Sequence, residues 1–379
     1  MNFWKSGQLR NLLSEASNGT TNDQVDPSET TVAVTRIETI SGGDVNINKV
    51  GFVEKSPELE NYKLSKGDIL FSHINSLPVI GNCALVSAGL NLYSGMNLLK
   101  LRPKPTVDAR FLHYLLKSKG FRDRVAAYAK PAINQASISK STLLGFPVSI
   151  PPLPTQTTIA DYLDRKTAAI DELITKKELL IEELRKYQEA VIAEAVAPRE
   201  GWRKYKVKQL LKAQPKSNLP SGAGDELGAF PFYVSGAEIK RIAEPMLKGT
   251  AILMADGGKA SLHLGKGEFS WSDHVLCLLS GDEAVTEFVY NQLSVQLAFL
   301  DGHGFRGTGL PMLDKRWLYE DLAIWLPKTR TEILKFNAEI LEIRNHYLKR
   351  SQNVIATIQE LKAYRSALIS EAVTGKLPL

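Results

Sequence analysis

Residues 184–196 read LRKYQEAVIAEAV and residues 361–373 read LKAYRSALISEAV, so a shift of 177 places gives seven identities in thirteen positions. The identities are Leu184/Leu361, Tyr187/Tyr364, Ala190/Ala367, Ile192/Ile369, Glu194/Glu371, Ala195/Ala372 and Val196/Val373. A period close to half of 379 residues means two copies of a whole domain rather than a solenoid of short units. Further matches keep the same order. Trp4 precedes Leu12 and Leu13 as Trp202 precedes Leu210 and Leu211, an offset of 198. Lys66-Gly67 leads to Leu70, and Lys248-Gly249 leads to Leu253. Phe111 and Leu116 match Phe288 and Leu293, again 177 apart. The second globular part is therefore shorter by about 21 residues net. Two such domains about a pseudo-twofold axis suit a target that is itself bipartite.

The repeated segment is helical by its periodicity. After the Pro-rich turn IPPLP, which stops a strand and suits a helix start, a helix is expected from near Pro154 to Val196. Its stripe runs Ile170, Ile174, Lys177, Ile181, Leu184, Gln188, Val191, Ala195, in alternating steps of four and three. That is a heptad seam. The second stripe runs Ile333, Phe336, Ile340, Ile343, Tyr347, Arg350, Val354, Thr357, Leu361, Tyr364, Leu368, and stops at Gly375. At 1.5 Å per residue, helices of about 40 to 48 residues reach on the order of 60–70 Å. Two such rods in one chain pack most simply against each other, antiparallel. The stripes are wide: Leu173, Leu180, Tyr187, Ile355, Ile358 and Tyr364 are expected to offer apolar surface to helices of a partner. The fold class expected is α+β, with two mixed α/β globules separated by two long antiparallel coiled-coil helices. The boundaries are 1–150, 151–200 (first helix), 201–326 and 327–379 (second helix).

Apolar residues make up 44% of the chain, enough for real cores. Cys83 and Cys277 give neither a disulfide framework nor a zinc spacing. The start MNFWKSGQLRNLLSEASNGTT lacks an apolar signal-peptide core, and no run of eighteen apolar residues occurs. A cytoplasmic protein without a membrane partner is expected. The net charge of +6 is unevenly spread: residues 1–150 hold 17 basic and 12 acidic groups, whereas residues 151–200 hold 7 and 10. Local basic clusters are Lys117, Lys119, Arg122, Arg124 and Lys130, and then Arg203, Lys204, Lys206, Lys208, Lys212 and Lys216. Such clusters are the footprint expected for a polyanion, although a solvated surface shows them too.

The layout resembles the specificity (S) subunit of type I restriction–modification enzymes. The residues that carry the resemblance are FPVSIPPLPTQTTIADYLDRKTAAIDELITKKELLIEELRKYQEAVIAEAV (146–196), REGWRKYKVKQLL (199–211) and ELKAYRSALISEAVTGKL (360–377). The Pro-Pro-Leu-x-x-Gln turn falls at Pro151, Pro152, Leu153 and Gln156. The D-x-x-I-x-x-K-x-x-L-I-x-x-L pattern falls at Asp171, Ile174, Lys177, Leu180, Ile181 and Leu184. The ending A-V-T-G-K falls at Ala372 to Lys376. One departure is WLPKTRTEI (325–333), which lacks the second proline and the glutamine. The resemblance implies two target-recognition domains, each reading one half of an asymmetric, bipartite sequence in double-stranded DNA. It implies helices that act as a ruler for the unread spacer and dock two methyltransferase subunits, and through them ATP-driven restriction subunits. S-adenosylmethionine, ATP and magnesium are then expected on those partners only; the modification subunits flip the target adenine out of the stack, and this chain does no chemistry.

The residues agree with that last expectation. The only Pro-Pro, Pro151-Pro152, lacks the flanks of an amino-methyltransferase base-holding run, and no phosphate loop occurs. Asp225 with Glu238-x-Lys240 is a loose magnesium-site spacing that arises often by accident. The six histidines show no pair at metal-ligand spacing. The rivals are a coiled-coil adaptor that binds proteins only and a self-sufficient DNA-modifying enzyme.

Base edges are read by short polar side chains and arginine on loops, phosphates by Lys, Arg and backbone amides. In the first half the candidates are Arg36 at a strand end, the loop His73, Asn75 and Ser76 after a strand at Ile69–Ser72, and Lys130, Asn134, Gln135 and Ser137 before a strand expected at 143–150. In the second half they are Asp256, Lys259 and Ser261, the glycine-rich stretch 301–309 with Arg306 and Thr308, and Tyr233 and Ser235. Four glycines in that stretch permit close backbone approach to a phosphate. Each of these residues also has an ordinary reading as turn chemistry.

Overall fold

The computed structural model describes residues 4–133, 135–225 and 227–377. The chain divides into two compact units, residues 1–177 with 356–379, and residues 178–355. Each unit thus takes part of both long helices together with one globule.

In the first unit Lys5–Gln8 pairs antiparallel with Pro147–Ile150, Lys5 opposite Ile150. A four-stranded sheet has the order Leu13–Asn18, Leu98–Pro103, Ile69–Ser72, Cys83–Leu85. A second sheet sets Thr31–Thr35 between Val50–Glu54 and a parallel partner, Leu92–Tyr93. The helix Ala109–Lys117 follows the sheet because Asp108 caps it, its carboxylate accepting from the Arg110 and Phe111 amides at 2.9 and 3.2 Å. Its apolar face, Phe111, Leu112 and Leu116, is fully buried.

The second unit repeats that plan. Arg203–Lys206 pairs antiparallel with Ala323–Leu326. A six-stranded sheet runs Lys212–Ala213, Val275–Leu279, Leu247–Ala255, Leu262–Trp271, Phe230–Tyr233, Ile239–Ile242. The helix Glu283–Ser294 is capped by Asp282, which accepts from the Ala284 amide at 2.9 Å, and buries Phe288 and Leu293 completely. The correspondence reaches single atoms. The Gln8 amide donates to Asn11 Oδ1 at 2.8 Å, and the Lys206 amide, 198 places on, donates to Gln209 Oε1 at 2.7 Å.

The long helices run Leu153–Ala195 and Arg330–Val373. Of the expected seam, Ile170, Ile174, Ile333, Ile340 and Leu368 are under a tenth exposed, most other positions are half-buried, and Arg350 and Tyr364 are exposed. Arg365 donates to Asp171 at 2.9 Å in the first unit, and the rings of Tyr187 and Tyr347 lie 5.8 Å apart in the second. Within the second unit Tyr187 meets Tyr347 and Gln188 reaches the Arg344 carbonyl, so there residue numbers rise along one helix as they fall along the other. Each helix start is fixed differently. Gln156, 1% exposed, donates to the Pro151 carbonyl at 2.8 Å and accepts from the Asp108 amide at 3.0 Å. The second helix has no such glutamine; there Thr329 and Glu332 form a reciprocal capping box, with the Thr329 amide 3.0 Å from Glu332 Oε2 and the Glu332 amide 3.2 Å from Thr329 Oγ1.

Two expectations need correction. The strand expected over 143–150 begins only at Pro147, because Ser139 caps a short helix, Lys140–Leu144, that Gly145 ends. The glycine-rich stretch after Asp301 is not all loop, since Leu297–Gly304 is helical. Leu300 is buried there, and Gly304 lies so close to Trp317 that a Cβ would sit 2.7 Å from the indole ring.

Candidate nucleic-acid interface

Beyond the central strand of each globule, segments distant in sequence meet in a small hairpin sheet. In the first unit the central strand ends at Ser72, and the chain continues into the short strand Ile74–Asn75. This pairs with Gln135–Ser137, Asn75 opposite Ala136, and Gln135–Ser137 pairs in turn with Lys130–Ala132. Lys130–Ala132 is exposed throughout, and in Gln135–Ser137 only Ala136 is buried, with Gln135 and the nearby Ser76 exposed. Asn75 is spent locally: it donates to Ser72 Oγ at 3.1 Å and accepts from the Ser76 amide at 2.8 Å, which fixes the turn that presents Ser76. Asn134 lies outside the described residues.

The second unit builds the same device. Phe305–Arg306 pairs with Met312–Leu313, and Met312 meets Gly257 just past the end of the Leu247–Ala255 strand. The Gly258 amide donates to the Pro311 carbonyl at 2.7 Å, and the Leu313 amide to the Asp256 carbonyl at 2.9 Å. Lys259, Arg306 and Thr308 are exposed around this junction. Arg306 is held loosely by Asp314 at 3.2 Å, with its side chain 69% exposed. Ser261 donates to the Ser235 carbonyl at 2.7 Å, and Asp301 accepts from the Ala260 amide at 2.7 Å, so both loops are tied down from behind. Of the four glycines expected to approach a phosphate, Gly307, at φ +125°, and Gly309 remain at the hairpin tip.

Other candidates fall elsewhere. His73 is not a surface reader: it is buried, burial holds its imidazole below the usual range, its Nδ1 has no hydrogen-bond partner among the described residues, and its carbonyl accepts from the Ile138 amide at 2.9 Å. Arg36 does cap the end of Thr31–Thr35, exposed and 3.5 Å from Glu38, but it borders a different hollow with Gly95, Met96 and Asn97. Tyr233 and Asp256 are buried. Of the side chains expected to face a partner helix, Leu173, Leu180, Tyr187, Ile355 and Tyr364 are exposed; Ile358 is buried at 7% and belongs to the seam instead.

The acidic spacing at Asp225 is occupied by turn chemistry, its carboxylate accepting from the Leu227 amide at 2.6 Å while Lys240 donates to the Ser221 carbonyl at 3.1 Å. Among the described residues no group of three or more His, Cys, Asp and Glu is placed to hold a metal ion. No helix among them is long and apolar enough to cross a membrane. Sequence reasoning passed over the two hairpin tips, Ile133 and Leu310. The signal was present, since the two stand 177 places apart, the offset of the repeat itself.

Residues 3–183 match the family described as type I restriction modification DNA specificity domain. That stretch of the chain is similar to a type I DNA specificity domain. Among curated relatives it is 39% identical over 164 residues to a putative type I restriction enzyme MjaX specificity subunit of Methanocaldococcus jannaschii, covering 42% of this chain and 38% of that one. It is 28% identical over 174 residues to the type I restriction enzyme EcoKI specificity subunit of Escherichia coli, covering 45% and 37%. The matches span well under half the length of those relatives. Over nearly the whole chain the fold, mixed helix and sheet with two long helices, is that of solved type I proteins. A chain from a study of complex assembly and conformational transition of a type I R-M system superposes with TM-score 0.73 at 16% identity, covering 99% of this chain and 98% of that one. The HsdS subunit from Thermoanaerobacter tengcongensis gives TM-score 0.53 at 16% identity, covering 99% and 97%. The matched residues 3–183 thus contain the first hairpin sheet, and the second unit repeats that architecture.

Proposed function

We propose that this chain is the sequence-specific DNA-recognition subunit of a type I restriction–modification complex. Each unit reads one half of a bipartite, asymmetric site in double-stranded DNA, and each does so with its hairpin sheet. The observation that carries this reading is the duplicated junction itself: Lys130, Gln135 and Ser76 in one unit, Lys259, Arg306 and Thr308 in the other, exposed on a thin ribbon anchored to the central strand. A two-stranded ribbon fits the major groove, where polar side chains distinguish base pairs and cations hold the flanking phosphates.

The two helices would set the length of the unread spacer and, through Leu173, Leu180, Tyr187, Ile355 and Tyr364, dock two methyltransferase subunits that carry restriction subunits in turn. The chemistry would belong to those partners, with S-adenosylmethionine on the methyltransferases and ATP and magnesium on the restriction subunits. The test is binding of the full chain, with a co-expressed methyltransferase subunit, to duplex DNA across a salt series. Log affinity falling steeply against log salt, by about 0.9 per phosphate neutralised, is the expected result. Affinity for the protein partner without salt-dependent DNA binding would leave only an adaptor role.

A further inference from the structure

Two apolar side chains stand at the tips of the hairpins with nothing covering them: Ile133 is 92% exposed and Leu310 is 69% exposed. Single exposed apolar residues are normal on any surface. These two are not independent cases. They are separated by 177 residues, the offset that relates the two copies of the chain. Their surroundings correspond as well. Three places after each tip comes the buried anchor of the returning strand, Ala136 at 1% and Leu313 at 7% exposure. That strand is bonded in each unit to the segment just beyond the central strand, Asn75 opposite Ala136 and Gly257 opposite Met312. Before each tip stands an exposed cation, Lys130 or Arg306. The loops differ in length and composition, IN between paired residues in one and GTGLP in the other. The tips nevertheless both end in a branched apolar side chain.

We propose that Ile133 and Leu310 are base-contacting residues, each carried into the major groove of its own half-site by the ribbon and packed there against a thymine methyl group. This rests on the DNA-recognition reading above and adds residues that polar readout alone does not supply. The thymine C5-methyl is the apolar group that the major groove presents, and it pairs with apolar side chains as arginine pairs with guanine. A cation at the base of the ribbon meets the phosphate that flanks the groove and leaves the tip to the base edges. Isoleucine, branched at Cβ, is stiff at χ1 and gives up little freedom on contact.

The experiment selects sequences from a library with randomised half-sites, using the full chain in complex with its co-expressed methyltransferase subunit. Ile133→Ala is expected to relax the preference at one or two adjacent positions of one half-site, discrimination there falling roughly five- to tenfold. Leu310→Ala is expected to do the same in the other half-site only. Replacing thymine by deoxyuridine at the relaxed position should weaken the wild-type complex by a similar factor and leave the alanine variant unmoved. Both tips are exposed, so the melting temperature should not change. An unchanged preference in both halves, a relaxed position that is never thymine, or a uniform loss across all sequences would each overturn the proposal. If the wild-type complex selects a gapped site and the variants are indifferent, this inference alone fails. If the wild type selects nothing, the recognition reading fails with it.

Discussion

Trp4 packs on Phe111 with ring centroids 6.4 Å apart, and Trp202 packs on Phe288 at 5.5 Å in the other unit. In each case the tryptophan opens its copy of the repeat, and the phenylalanine is a fully buried residue of a helix capped by aspartate. A core contact reproduced in both copies is what a duplicated domain requires.

The two phenylalanines should therefore report on their own units. Phe111→Ala and Phe288→Ala each remove a fully buried ring and are expected to cost about 3–5 kcal/mol. Hydrogen exchange resolved along the chain checks this. Protection should fall first in residues 1–177 for Phe111→Ala and in residues 178–355 for Phe288→Ala. Equal loss in both units from either change would contradict two separate cores.

His113 makes the first unit sensitive to acid. Burial, then Lys117 and Arg365, push its imidazole down to about 3, and the Cys83 carbonyl at 3.4 Å opposes this only weakly. The unfolded chain takes up that proton near the ordinary value of 6.5, whereas the folded chain does not until about 3. Stability is thus full above pH 6.5 and declines as pH falls through the window toward 3, by about 2 kcal/mol at pH 5. Replacing His113 with Gln should flatten the dependence of melting temperature on pH between 7 and 5. Parallel curves for the two proteins would show that His113 is not the titrating group.

Recognition should separate by unit. Lys259→Ala combined with Arg306→Ala removes exposed cations from the second junction only. Preference at one half-site should weaken by roughly tenfold or more while the other half-site keeps its profile. Weakening of both half-sites together would contradict a reader in each unit.

Rod length should set the gap. One heptad inserted in each long helix at matched seam positions keeps the stripe in phase and adds about 10 Å, roughly three base pairs of spacer. A preferred spacer that does not move would remove the ruler.

Most of this architecture is legible in the chain. The first helix span follows from its entry turn and heptad seam to within a residue, the second starts three residues after its expected boundary, and Ile69–Ser72 is read correctly as a strand because it is a short apolar run bounded by Gly67 and polar residues. The hairpin sheets are not legible. Lys130–Ala132 and Gln135–Ser137 carry no period-two apolar pattern, and their pairing is decided by a strand 55 or more residues away. Leu297–Gly304 carries two glycines, usual marks of a loop, yet is helical because Leu300 and the Gly304–Trp317 contact reward the helix. His73 and Ile358 were misplaced for one reason: in short or wide apolar stripes, composition does not say which face is covered.

The central claim, one chain reading two different half-sites, is tested most directly by co-expressing it with the proposed methyltransferase subunit and mapping methylated bases across the host DNA. A single asymmetric, gapped motif methylated on adenine is the predicted result. An ungapped or symmetric motif, or no motif despite a stable complex on DNA, would contradict it.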